Sequence, residues 1–477
     1  MESRNRAAQT LTDSRFIWRT RVAACWLVLV AIAFIQQPGR IVADTKLDLA
    51  IDPGRFMERA TSLWDPIGFF GQVQNQAYGY FVPMGPFFLA GNKLQLEPWI
   101  VQRLWWAVVL VVAFTGFVLL ARELKIGAPW AQLVGGFAFA LSPRMLSVIG
   151  PSSIEVWPMA VAPWVLLALV IGTTRKSPVA MSALSAVGVA AVGGVNAVAT
   201  FAVIPLGVLW LVMAPAGPRR RRMMVAWPGF VLLATLWWLV PLVLLGQYSP
   251  PFLDFIESAS LTSFDTTLLD SLRGTSNWTS YLSSTSVAGN NLISEPILLL
   301  NLAVVLALSV AGLAQRDLPH RRFLFVAVLC GLALVTMGHT ASHGGLGAPD
   351  LQALLDGVLS PLRNTHKFDV LIRIPLVLAL VHVLTKAFGE LAARSADGGV
   401  RTFAPTFGFA VLGVIAVLGA TSPAWTGQLA PRGSFESVPG YWKDTASWIA
   451  KQDPEERALV VPASAFGSYL WGYTNDD

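Results

Sequence analysis

Charge is scarce in this chain. Asp, Glu, Lys and Arg make up 13% of its 477 residues, about half of the roughly 25% found in soluble globular proteins. So few ionic groups cannot cover a water-facing surface of this size. The 54% hydrophobic content excludes a disordered chain as well. Cysteine is rarer still. Cys25 and Cys330 are the two present, and both fall inside long apolar runs, which excludes a disulfide framework or a zinc site. The first apolar run ends in Gln36-Gln37-Pro38-Gly39-Arg40 and lacks a small-residue cleavage pattern. It therefore reads as a membrane anchor rather than a removable signal.

What the chain has in plenty is one repeated step: an apolar run followed by a short loop, with every second loop basic. A helix needs roughly 20 apolar residues to cross the hydrocarbon core. Eleven such segments are expected, near 22–38, 101–120, 129–149, 155–172, 179–195, 197–213, 224–246, 294–314, 323–338, 371–387 and 403–420. The fifth and sixth are short and weakly separated at Val195-Asn196. With the N-terminus cytoplasmic, that side carries 19 of the 34 basic residues but 6 of the 28 acidic ones. Such asymmetry is the mark of positive-inside topology. It puts the C-terminus outside a plasma membrane, and it accounts for the net charge of +6 without a nucleic-acid partner.

The expected fold is therefore an all-α polytopic membrane protein. Residues 1–420 form the transmembrane domain. Long outer segments at 39–100, 248–293 and 339–370 exceed the usual length of structureless loops, which marks them as functional. Residues 421–477 read as the beginning of an extracytoplasmic soluble domain of a longer protein, with a helix from Tyr441 to Lys451 and a strand-like run at Ala458-Leu459-Val460-Val461.

The first outer segment opens with Asp44-Thr45-Lys46-Leu47-Asp48-Leu49-Ala50-Ile51-Asp52-Pro53. Three aspartates at steps of four would line one face of a helix continuing out of the membrane. Acidic neighbours at that spacing repel, so Lys46, a substrate cation or a proton should compensate. A carboxylate at the water–lipid boundary suits general-base work on a sugar hydroxyl, with Asp44 and Asp48 the candidates. Asp52, just before Pro53, reads instead as a helix N-cap. The helix expected from Pro53 to Trp64 is amphipathic and suited to the membrane surface. Tyr78 and Tyr80 in the aromatic run that follows belong to an interfacial belt, or to a sugar platform.

Further charges sit at the ends of apolar spans. Arg144, Glu155 and Arg373 are costly there and point to function, against a role for the arginines as headgroup anchors. Arg363, His366 and Lys367 gather in Leu362-Arg363-Asn364-Thr365-His366-Lys367-Phe368-Asp369. Cations and donors at a lipid surface suit a phosphate on a membrane-embedded carrier. His339 and His343 have a spacing seen in metal sites but no acidic third ligand beside them. Gly344-Gly345-Leu346-Gly347 is a flexible loop, not a nucleotide motif.

The runs Asp44-Thr45-Lys46-Leu47-Asp48, Trp64-Asp65-Pro66, Gly79-Tyr80, Pro83-Met84-Gly85-Pro86 and Asn364-Thr365-His366-Lys367-Phe368 resemble the alpha-(1→3)-arabinofuranosyltransferase family, over essentially the whole chain. The resemblance implies a type C glycosyltransferase fold whose key aspartate follows the first span, matching Asp44, with Asp48 second. It implies transfer of arabinofuranose from decaprenyl-phosphoryl arabinose to the arabinan of arabinogalactan or lipoarabinomannan in the cell wall. The cluster Arg363, His366, Lys367, Arg373 and Arg144 would then hold the donor phosphate, and Glu155, Lys46, Tyr78 and Tyr80 would contact substrate. No cofactor is required, although a divalent cation near the aspartates is compatible with this scheme. The related arabinosyltransferases suggest an acyl carrier protein at the cytoplasmic face, where Arg219–Arg222 would meet it. Two other readings stand: a flippase or transporter of lipid-linked sugars, disfavoured by the surface position of the charges, and a polyprenyl-phosphate-mannose transferase of the same fold.

Overall fold

The computed structural model describes residues 2–44, 46–66, 71–73, 77–246, 248, 257–282, 285–340, 344–345, 347–396, 404–452, 458–459, 461 and 467–474. Helices dominate, and two short two-stranded hairpins, Trp64–Asp65 with Gln72–Val73 and Ser468–Tyr469 with Gly472–Tyr473, are the sheets among these residues. Among the described residues, six helices are long and apolar enough to cross a membrane: Phe16–Phe34, Pro98–Glu123, Ser153–Thr174, Pro218–Gly246, Pro296–Ala314 and Thr365–Gly389. This is a multi-pass membrane protein.

Burial sorts these spans. Along Pro98–Glu123 and Ser153–Thr174 buried residues occur on every face, as expected of helices enclosed by protein. The two pack against each other, and around them lie Phe16–Phe34, Pro129–Ala140 and Pro178–Ala191. A second group forms about Val370–Ala396, flanked by Pro296–Ala314, Arg321–Thr336 and Ala404–Ala420. Close approach is set by small residues. A Cβ on Gly312 would stand 2.1 Å from the Ala379 carbonyl oxygen, so only glycine lets these backbones meet.

The remaining expected spans are shorter or broken. The segment 129–149 divides into Pro129–Ala140 and Pro143–Val148, with Leu141 and Ser142 between them. Proline restricts the residue before it to extended backbone, and Ser142 has ψ 158°. The segment 197–213 divides likewise into Ala197–Phe201 and Ile204–Met213, with Pro205 in the first turn of the second. In contrast, Pro158 and Pro163 lie inside Ser153–Thr174 without ending it.

The segment after the first span corrects another expectation. The helix does not continue outward with three aspartates on one face. It stops at Phe34, Gln37 and Gly39 take positive φ, and Ile41 bridges Phe435 through hydrogen bonds of 2.7 and 3.0 Å. The next helix is one turn long, Leu47–Ile51. Asp52 then caps Pro53–Ala60 by accepting from the Arg55 amide at 3.1 Å, as expected. That helix ends before Leu63 and Trp64, which are exposed, Trp64 opening the first hairpin. In the tail the helix spans Gly440–Gln452. Residues 458, 459 and 461 are not in a strand, and Val460 lies outside the described residues.

Candidate functional site

Asp44 is fastened from three directions. Two residues before it, Val42 exchanges a pair of hydrogen bonds with the Gln102 amide, at 3.1 and 2.8 Å. The Asp44 carboxylate, on a residue 2% exposed, accepts from the Ser153 backbone N–H at 2.7 Å and from the Trp106 indole N–H at 3.2 Å. Ser153 opens the Ser153–Thr174 helix, so the carboxylate lies at a helix N-terminus, where free amides and the helix dipole favour an anion.

In the first turn of that helix, Glu155 meets Lys367, its Oε1 3.0 Å from Nζ. The lysine side chain is 3% exposed and the glutamate 29%. Arg144, from the short Pro143–Val148 helix, adds a second buried cation whose charge acts on Glu155 and Asp369. Its Nη2 has no hydrogen-bond partner among the described residues. Arg144, Glu155 and Lys367 line one cavity of about 200 Å³ together with Pro158, Met159, Ala199, Ala202, Val203 and Val370. Two guanidinium or ammonium groups and one carboxylate leave this cavity net positive. A buried donor without a partner is costly, about 1–3 kcal/mol, and this one is available for an anion.

The Asn364–Asp369 segment holds Lys367 in place through its neighbours. Asn364 donates to Glu257 at 2.9 Å and accepts from the Trp278 indole at 3.0 Å. The Thr262 hydroxyl donates to the Arg363 carbonyl at 3.1 Å, and Thr365 donates to the Val335 carbonyl at 2.9 Å. Arg363 and His366 are buried in this segment, and His366 Nδ1 has no partner among the described residues.

Arg373 has a different surrounding. It donates to Asp369 at 2.8 and 3.4 Å and to the carbonyls of Leu272 and Ser271 at 3.1 and 3.3 Å. Its donors are thus engaged by protein. Arg373 lines a second cavity of about 490 Å³, whose walls are mostly apolar: Leu302, Val305, Leu306, Leu376, Val377 and Val417 among them. The two cavities share structure. Ser142, Pro143 and Arg373 face the apolar one, and Arg144 and Lys367 the charged one.

Other expected site residues lie apart. Asp48 is ion-paired with Arg59 at the surface. Lys46 is half-buried and precedes the Leu47–Ile51 turn. Tyr78 and Tyr80 are buried; burial pushes the Tyr78 phenol up to about 12, and Tyr80 packs edge-on against Phe56 at 5.4 Å. His339 Nδ1 lies 3.2 Å from the Ser263 carbonyl oxygen, and His343 is outside the described residues. Sequence reasoning missed Arg103, Trp106 and Asp369. An arginine inside an apolar run was a signal for the first, whereas nothing in the pattern marks which tryptophan meets Asp44.

The family described as alpha-(1->3)-arabinofuranosyltransferase, N-terminal GT-C domain, matches residues 28–477. The chain is 41% identical over 466 residues to an alpha-(1->3)-arabinofuranosyltransferase of Mycobacterium tuberculosis, covering 94% of this chain and 33% of the relative. It is 42% identical to that of Mycolicibacterium smegmatis, covering 96% and 32%. The cryo-EM structure of arabinofuranosyltransferase AftD from Mycobacteria superposes with a TM-score of 0.78 at 39% identity, over 96% of this chain and 31% of that one. The chain thus spans about a third of the length of the relatives it matches. With a matching family over nearly its whole length and two relatives above 40% identity, the chain belongs to the alpha-(1->3)-arabinofuranosyltransferase family, as its N-terminal GT-C domain.

Proposed function

We propose that this domain transfers arabinofuranose from a polyprenyl-phosphoryl donor to growing cell-wall arabinan at the extracytoplasmic face, by single displacement with inversion. The observation that carries the proposal is the cavity of Arg144, Glu155 and Lys367, net positive and containing a buried, unpartnered guanidinium nitrogen.

An acceptor hydroxyl attacks the anomeric carbon, and Asp44 takes its proton. The bond from that carbon to the phosphate oxygen breaks, and polyprenyl phosphate leaves with the bonding electrons. Negative charge on the leaving phosphate develops toward Arg144 and Lys367, and fixed cations in a dry cavity stabilise it more than water would. His366 and Arg363 flank Lys367, while Arg373, engaged with Asp369, braces the segment. The neighbouring apolar walls of Leu302, Leu306, Leu376 and Val377 suit contact with the isoprenoid chain. Asp44 is held by the Ser153 amide, two residues before Glu155 of the charged cavity.

The test uses the full-length protein in membranes with labelled polyprenyl-phosphoryl arabinofuranose and an arabinan acceptor. Glycoside formation that falls at least about 100-fold in Lys367→Met supports the reading. Translocation of the lipid without glycoside formation would replace it with a transporter, and activity with a mannose donor alone would overturn the sugar.

A further inference from the structure

We propose that Arg103 and Trp106 are positioning residues that hold the Asp44 carboxylate aligned and ionised. This rests on the reading of Asp44 as the base.

Arg103 is fully buried, and among the described residues it forms no ion pair within 4.0 Å. A guanidinium placed so within a membrane helix is expensive unless something requires it. Its Nε donates to the Gln36 carbonyl at 2.8 Å and its Nη2 to the Arg40 carbonyl at 3.0 Å, fixing the turn by which the chain leaves the first span. Its plane lies over the Trp106 ring, 4.3 Å from the centroid, a favourable cation–π distance. The same indole, buried at 0% exposure, aims its N–H at Asp44 Oδ2. One arginine therefore orients both the backbone leading into Asp44 and the ring that donates to it, and its charge also acts on Asp44 directly. The other titratable groups on the elements around Asp44 are Glu155 on the Ser153–Thr174 helix, Arg122 and Glu123 at the far end of the Pro98–Glu123 helix, and Arg40, Lys46 and Asp48 on its own segment; Asp48 is paired with Arg59 and Glu123 with Arg175.

A hydrogen-bond donor and a nearby cation both favour the ionised carboxylate. Removing either should move the acid limb of activity to higher pH and leave donor binding alone. The experiment measures kcat/KM against pH, with KM for the lipid donor, in the full-length protein carrying Trp106→Phe, Arg103→Lys or Arg103→Gln. Trp106→Phe keeps an aromatic face, though a smaller one, and deletes the N–H, so its acid limb should move up by about one pH unit. Arg103→Gln should move it further, Arg103→Lys less, with KM within about twofold of wild type. If Arg103→Gln does not accumulate, Trp106→Phe decides alone. Acid limbs that superimpose on wild type, with Asp44→Asn inactive, overturn the positioning role. Full activity of Asp44→Asn overturns the assignment of the base instead.

Discussion

Arg144 and Arg373 are two arginines at the same end of the bundle, and the structure gives them opposite consequences when removed. Arg373→Met deletes four hydrogen bonds and leaves Asp369, whose side chain is 2% exposed, without its ion-pair partner. Stranding one partner of a buried pair costs about 3–5 kcal/mol, and the freed carbonyls of Ser271 and Leu272 add to that. Arg144→Met has the reverse balance. It removes a group already carrying an unpartnered buried nitrogen, which relieves about 1–3 kcal/mol and offsets the lost attraction to Glu155 and Asp369. Stability should then stay within about 1 kcal/mol of wild type, while transfer falls about 100- to 1000-fold for loss of one charge-stabilising donor. Denaturant titration in detergent, followed by circular dichroism, reads the first quantity, and the labelled-donor assay reads the second. Asp369→Asn combined with Arg373→Met should recover most of the lost stability. If Arg144→Met proves the more destabilising of the two, the division between phosphate ligand and brace is wrong.

Two further outcomes follow from other parts of the fold. Burial, with the charge of Asp270 adding to it and His339 opposing, pushes Asp265 from 3.8 to about 6. Its folded pKa lies above the unfolded one, so stability should fall as pH rises from about 4 to about 6 and level off above. Asp265→Asn should abolish that slope in denaturation midpoints; an unchanged slope would refute the assignment. Gly312→Ala forces a methyl against the Ala379 carbonyl and should cost about 1–3 kcal/mol by overpacking, read in the same titration, with a wild-type midpoint contradicting it.

Hydropathy made the bundle legible because a span's length and composition are local properties of the chain. It failed where proline acted on backbone shape within an apolar run, at Ser142-Pro143 and near Pro205. The cluster from Arg363 to Arg373 was legible as a concentration of charge. The different surroundings of Lys367 and Arg373, on which their proposed roles as phosphate ligand and brace rest, were not, because they depend on Glu155, Ser271 and Leu272, each distant in sequence. Asp44, the proposed base, drew attention by its place after the first span. Its environment was not legible, since Gln102 and Trp106 from one helix and Ser153 from another reach one short segment only after folding brings the Pro98–Glu123 and Ser153–Thr174 helices together.

The most direct measurement compares Asp44→Asn with wild type in the full-length protein, determining donor affinity and single-turnover transfer separately. Asparagine retains the shape and can still accept from the Ser153 amide but cannot take a proton. The rate of transfer should fall about 100- to 10,000-fold with donor affinity unchanged, because Arg144 and Lys367 are intact. Transfer at the wild-type rate, or loss of donor binding in place of loss of rate, would contradict Asp44 as the base of the reaction.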